Sequence, residues 1–138
     1  MKAIALLLAC ACGAHAVGPG DPPPAKTVDL NHDGGLVDVE AAVMTGYVTV
    51  VDFWSESCGA CGVVGGMLAV GIADQPRVLV RKVDVGDGFT PVAHAYKIGA
   101  LPHFNVYDRE RRLRYVLVGN DCVKASEIAK QLVAEPMK

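Results

Sequence analysis

The chain has 138 residues, 51% of them hydrophobic and 20% charged, with 13 Lys and Arg against 15 Asp and Glu. That length accommodates one domain with one core and not two ordinary ones, and a formal net charge of -2 leaves no general footprint for nucleic acid. The basic cluster Arg109, Arg111, Arg112 and Arg114 is local; it reads as a solvated hairpin turn, with a partner-binding patch as the alternative.

Residues 1–16 read as a secretory signal peptide. Lys2 supplies the positive flank, Ala3 to Cys12 a short apolar stretch, and Ala14-His15-Ala16 a small-x-small cleavage site before Val17. The apolar stretch, about ten residues, is too short to cross a bilayer. Leu7-Leu8-Ala9-Cys10 also resembles the lipobox of bacterial lipoproteins, so a lipid anchor at Cys10 is the alternative. Both readings put the mature domain in the periplasm or outside the cell. Three of the five cysteines, Cys58, Cys61 and Cys122, then remain. The first two are close enough to pair, and an oxidising compartment permits it.

Residues 17–25, rich in Pro and Gly, carry no apolar periodicity and are expected to form an extended tether. The domain is expected over 26–138, opening with a short edge strand from Thr27 to Leu30. Asn31 to Gly35 is turn material, and Leu36, Val39 and Val43 share one face of a predicted helix. Val48 to Phe53 is β-branched and apolar up to Asp52, as suits a central strand buried on both faces. From Cys61 the pairs Val63/Met67, Val64/Leu68 and Leu68/Ile72 recur at helical spacing, with a bend expected at Gly65-Gly66. Val78 to Val85 is a second core strand. Thr90-Pro91 is a helix start in which the hydroxyl is expected to accept an early amide hydrogen, and the short helix runs through Tyr96. Phe104 to Tyr107 and Leu113 to Val118 form a hairpin around the charged turn Asp108 to Arg112. Asp121 is expected to cap a last helix with Ala125, Ile128, Ala129 and Leu132 inward. Cys122 is then a small semi-buried residue at that helix start, with a resolving or intermolecular thiol as the alternative. Strands alternating with helices, closed by an antiparallel hairpin, predict an α/β sandwich on a mixed sheet.

Cys58-Gly59-Ala60-Cys61 lies where the chain leaves a strand and enters a helix. The pattern serves redox exchange, zinc or haem attachment. No histidine follows Cys61, which argues against haem, and no second cysteine pair completes four zinc ligands. His32, His94 and His103 are spaced singly. At a helix start Cys58 faces unsatisfied amide hydrogens and the positive end of the helix, which favour a thiolate, while Cys61 one turn later can attack a mixed disulfide formed at Cys58. Cys58 is therefore the candidate nucleophile and Cys61 the resolver.

From Val51 to Cys61, and again from Tyr96 to Pro102, the sequence resembles the thioredoxin family, with Lys82 and Gly119 also falling on its pattern; the match extends from about Leu36 to Leu132. The resemblance implies a thioredoxin-like three-layer sandwich and a redox-active disulfide between Cys58 and Cys61, with no separate cofactor. It assigns Asp52 to the buried carboxylate beneath the dithiol, able to exchange a proton with Cys61, with Lys82 as a candidate pair for it. Pro102 takes the place of the family's cis-proline, leaving the backbone of Leu101 to meet an extended substrate, and Trp54 packs beside the active-site loop. The segment departs from the common pattern in several ways. Ala60 replaces the proline between the cysteines, alongside the usual Gly59. Ser57 replaces an aromatic residue, Gly62 a basic one, Gly66 a helix-kinking proline, and His103 a threonine after the cis-proline. A charged His103 near the thiols would stabilise a thiolate.

The function this implies is an exported, monomeric thiol-disulfide oxidoreductase acting on cysteine-containing client proteins. The reductase direction is favoured because no inserted helical domain interrupts the chain, with electrons then coming from a membrane donor. A non-catalytic peptide-binding module, and copper held by the two thiolates, are the other readings.

Overall fold

A computed structural model describes residues 17–138; the predicted signal peptide and the Cys10 alternative lie outside the described residues. Residues 17–26 form no helix or strand. Five strands follow: β1 (Thr27–Asp29), β2 (Val48–Trp54), β3 (Val78–Asp84), β4 (His103–Tyr107) and β5 (Leu113–Val118). They are interleaved with α1 (Gly59–Gly71), α2 (Pro91–Ala95) and a closing α3 (Ala125–Ala134).

The sheet order is β1-β3-β2-β4-β5. The first three strands run parallel, and β4 and β5 form the antiparallel hairpin that the turn chemistry at Asp108 to Arg112 predicts. β2 is central because its residues are apolar on both sides. Val48 and Val50 point toward α1 and α3, joining Val64, Leu68, Phe104 and Leu132. Val51 and Phe53 point the other way, toward Val39, Val83 and Val92. The result is the three-layer α/β sandwich on a mixed sheet.

Three local expectations are corrected. The helix predicted through Leu36, Val39 and Val43 is only a 3-10 turn, Glu40–Ala42. Long-range partners take the backbone groups a helix would use: the Val39 amide donates to the Tyr96 hydroxyl at 2.9 Å, and the Glu40 carbonyl accepts from Arg111 at 2.8 Å. Val39 and Val43 still reach the core, whereas Leu36 is 69% exposed.

At Thr90 the hydroxyl makes no cap; it donates to the Val85 carbonyl at 2.8 Å and fastens the loop after β3. Gly34, in the turn after β1, packs close against this loop: it holds φ +73, and a Cβ there would lie only 2.2 Å from Thr90 Cγ2. Asp121 likewise does not cap α3. The chain first makes a 3-10 turn, Gly119–Lys124, anchored by Gly119 donating to the Pro102 carbonyl at 2.8 Å, and the Asp121 carboxylate pairs with Lys124. α1 itself runs without a break through Gly65-Gly66. Burial of Val64 and Leu68 against the sheet ties both halves to one surface, and Val63 and Met67 are left exposed.

Candidate active site

β2 ends at Trp54, and the Ser55–Ser57 turn brings the chain to Cys58 as the N-cap of α1, in extended conformation with φ -92 and ψ 93. Two hydroxyls stiffen this turn: the Ser55 and Ser57 oxygens lie 3.0 Å apart, and the Ser57 amide donates to Ser55 Oγ at 3.3 Å. The cap is made by sulfur. The Cys61 amide donates to Cys58 Sγ at 3.1 Å and is shared with the Cys58 carbonyl, also at 3.1 Å, so the candidate nucleophile takes part of an N-terminal amide hydrogen of the helix.

Cys58 and Cys61 form a disulfide with their Cα atoms 5.3 Å apart. Cys58 is half-buried and Cys61 is 3% exposed. Cys58 is thus the more open residue of the pair and Cys61 the enclosed one. Gly59 and Ala60, the first helical residues, are exposed and crowd neither sulfur.

Asp52 lies on the α1 side of β2 and is 3% exposed. Its Oδ1 is buried with no hydrogen-bond partner in the protein. Burial pushes its pKa up to about 6, the nearby Lys82 charge opposing the shift and Asp29 adding to it. Asp52 and Lys82 are register partners across β2 and β3, yet no ion pair joins them; Lys82 Nζ instead sits 4.4 Å from the centroid of the Trp54 ring. Lys82 therefore acts on Asp52 through space, and Trp54 holds the ammonium. Asp52 and Cys61 line one groove of about 220 Å3 together with Trp54, Lys82 and the α1 glycines.

The Leu101–Pro102 peptide bond is cis, at the position read from the sequence. Pro102 is buried, Leu101 is half-buried against the core on the α2 side, and the bond from Gly119 to the Pro102 carbonyl joins this loop to the end of β5.

His103 corrects the sequence reading. It pairs in register with Phe53, so it faces the α2 side of the sheet, opposite Asp52. Its ring meets Phe53 edge-on, and Nε2 bonds Asn105 Oδ1 at 3.0 Å. Burial lowers its pKa and so disfavours the charged ring, against a smaller opposing effect of the Asn105 hydrogen bond.

Cys122 is buried, donates to the Leu117 carbonyl at 3.4 Å, and has its thiol pKa pushed up to about 11, first by burial. It is a core residue, the first of the two readings its sequence position allowed. Sequence reasoning passed over Ser55 and Asn105, and read Gly65 only as a helix bend. Only Asn105, a polar residue between Phe104 and Val106 in a buried strand, left a visible signal. Among the described residues no group of three or more His, Cys, Asp or Glu could hold a metal ion.

Residues 38–133 match the family model described as Thioredoxin. A thioredoxin from Mycoplasma pneumoniae is 37% identical over 60 residues, which cover 44% of this chain and 58% of that protein. The chain thus spans little more than half the length of this curated relative. Among solved structures, reduced Schistosoma mansoni thioredoxin pre-protein has 22% identity and a TM-score of 0.59, covering 78% of this chain and 99% of that one. The germline-specific thioredoxin Deadhead from Drosophila melanogaster has 28% identity and a TM-score of 0.52, over 69% of this chain and 88% of that one. With the matched segment taking in every element from β2 to α3, and a disulfide at the head of α1, this chain belongs to the thioredoxin family.

Proposed function

We propose that the protein is a thiol-disulfide oxidoreductase that reduces disulfides of client proteins. The observation carrying this reading is the half-buried residue Cys58 at the N-cap of α1, its sulfur accepting the Cys61 amide hydrogen and bonded to a buried Cys61 that shares its groove with Asp52. In the reduced dithiol the same amide and the helix end favour a Cys58 thiolate. That thiolate attacks one sulfur of a client disulfide; the other client sulfur leaves as thiolate, and Cys58 is joined to the client. Asp52 takes the proton from Cys61, and the Cys61 thiolate attacks Cys58 Sγ. The second client sulfur departs and is protonated. Two electrons pass to the client, and the Cys58–Cys61 disulfide remains.

A raised pKa suits Asp52 to this step, since a carboxylate near 6 is a stronger base than an ordinary one and still ionised at neutral pH. The experiment is mixed-disulfide capture. Cys61→Ser should retain client proteins through Cys58, released by dithiothreitol, while Cys58→Ser retains none and loses insulin reduction. Equal capture by both variants, or undiminished insulin reduction by Cys58→Ser, contradicts the proposal.

The site of action proposed is outside the cytoplasm, supported by Lys2, the apolar run to Cys12 and the Ala14-His15-Ala16 cleavage pattern. Turnover as a reductase then needs an electron donor across or in the membrane, with the protein acting as a monomer. N-terminal sequencing of the expressed protein checks the export reading: Val17 as first residue supports it, and an intact Met1 or Lys2 opposes it.

A further inference from the structure

The groove beside Asp52 is wider than proton exchange needs. One wall is the face of α1 that carries Gly62, Gly65 and Gly66, and the facing wall is Trp54, Val80 and Lys82. A Cβ on Gly62 or Gly66 would meet nothing within 4 Å, so it is composition that leaves this space open, with no neighbouring side chain occupying it. At about 220 Å3 it exceeds the roughly 150 Å3 of an engineered apolar cavity able to bind benzene. The second observation is the Asp52 carboxyl, almost fully buried in the groove wall with one oxygen lacking any partner in the protein. The other oxygen, Oδ2, is the one beside the groove, 3.5 Å from the place a Cβ on Gly65 would take. A buried acceptor in this state selects an occupant that brings a donor.

We propose that this groove binds a small planar molecule with one hydrogen-bond donor, of which phenol is the simplest, lying against the glycine face of α1 and donating to the Asp52 carboxyl group. The glycine backbone lets a flat ring approach closely, Leu68 and Val80 give it apolar contact, and the carboxylate makes the single directional bond. A ligand with its own carboxylate is repelled by Asp52. Occupancy engages the group that receives the Cys61 proton, so a bound ligand slows release of the client. That consequence rests on the proposed function, whereas binding itself does not.

The test is an amide NMR titration of the full described domain with phenol and with anisole, its donorless methyl ether, each to about 20 mM. Saturable shifts at Gly62, Gly65 and Gly66 are expected with phenol, with a Kd of about 1 mM, and binding of anisole about tenfold weaker or less. Gly66→Leu and, separately, Ala69→Leu, both on the groove-lining face of α1, fill the groove and should abolish the shifts while leaving the amide spectrum of the rest of the domain unchanged. Shifts that are linear, equal for the two probes, or retained in both filled variants overturn the site. Binding with no slowing of insulin reduction overturns the coupling alone, and the phenol-anisole comparison needs neither a variant nor an active enzyme.

Discussion

Replacing Asp52 by Asn keeps volume and shape and removes the charge, so its effect isolates what the buried carboxylate costs the fold. Burial raises this group from the usual 3.8 to about 6; the native protein therefore holds the proton more tightly than the unfolded chain does. Stability contributed by that proton is fully present below the unfolded value and is lost as pH rises through the native one. At about 1.4 kcal/mol per pH unit, the penalty carried by the ionised group is about 1 kcal/mol at pH 4.5 and about 3 kcal/mol at pH 8. Asp52→Asn should stabilise the oxidised protein by these amounts. With a urea dependence of about 1.5–2 kcal/mol per molar, the unfolding midpoint at pH 8 rises by about 1.5–2 M. Equilibrium urea unfolding of both proteins across that pH range is the assay. A gain that is the same at every pH, or a loss at pH 8, would refute the reasoning that burial of the charge dominates this site.

Removing the Lys82 charge takes away the attraction that opposes burial at Asp52, so Lys82→Met should raise the Asp52 pKa above its wild-type value, read from the carboxyl carbon shift in an NMR pH titration. The same variant should alter the emission of Trp54, whose ring Lys82 covers. Gly66→Ala places a methyl group where nothing lies within 4 Å and should stabilise α1 by up to about 1 kcal/mol, measured by urea unfolding. Gly34→Ala should do the reverse by more than about 2 kcal/mol, because the position holds φ +73 and the new Cβ collides with Thr90. In the reduced protein at pH 8, iodoacetamide should modify Cys58 while leaving Cys122 untouched until the protein unfolds, since that thiol is buried with its pKa near 11. Mass spectrometry of the alkylated peptides reads the difference.

The layers and most element positions were legible because burial follows apolar pattern. Val48 to Phe53 announces a strand covered on both sides, and the charged turn after Tyr107 announces a hairpin. Errors fall where a backbone group is claimed from far away. Tyr96 and Arg111 unmake the predicted helix around Val39, and the Pro102 carbonyl holds Gly119 so that α3 starts late. No local propensity encodes partners more than fifteen residues distant. At the site, the cysteines, Asp52 and the Leu101–Pro102 bond were marked by residue type in a recognisable spacing. His103 was misread because proximity in sequence to Pro102 says nothing of which face a strand residue takes; its pairing with Phe53 decides that. The Asp52–Lys82 pairing was half right: register places them side by side, but the ammonium goes to Trp54.

Everything chemical here depends on the Cys58 sulfur being an acidic, accessible nucleophile at the head of α1. The most direct measurement is the pH dependence of Cys58 alkylation in the reduced protein, site-resolved by mass spectrometry. Half-maximal rate is expected at a pH clearly below the free-thiol value of about 8.5, with Cys58 reacting well ahead of Cys61. A Cys58 midpoint at or above that value, or a faster Cys61, would contradict it.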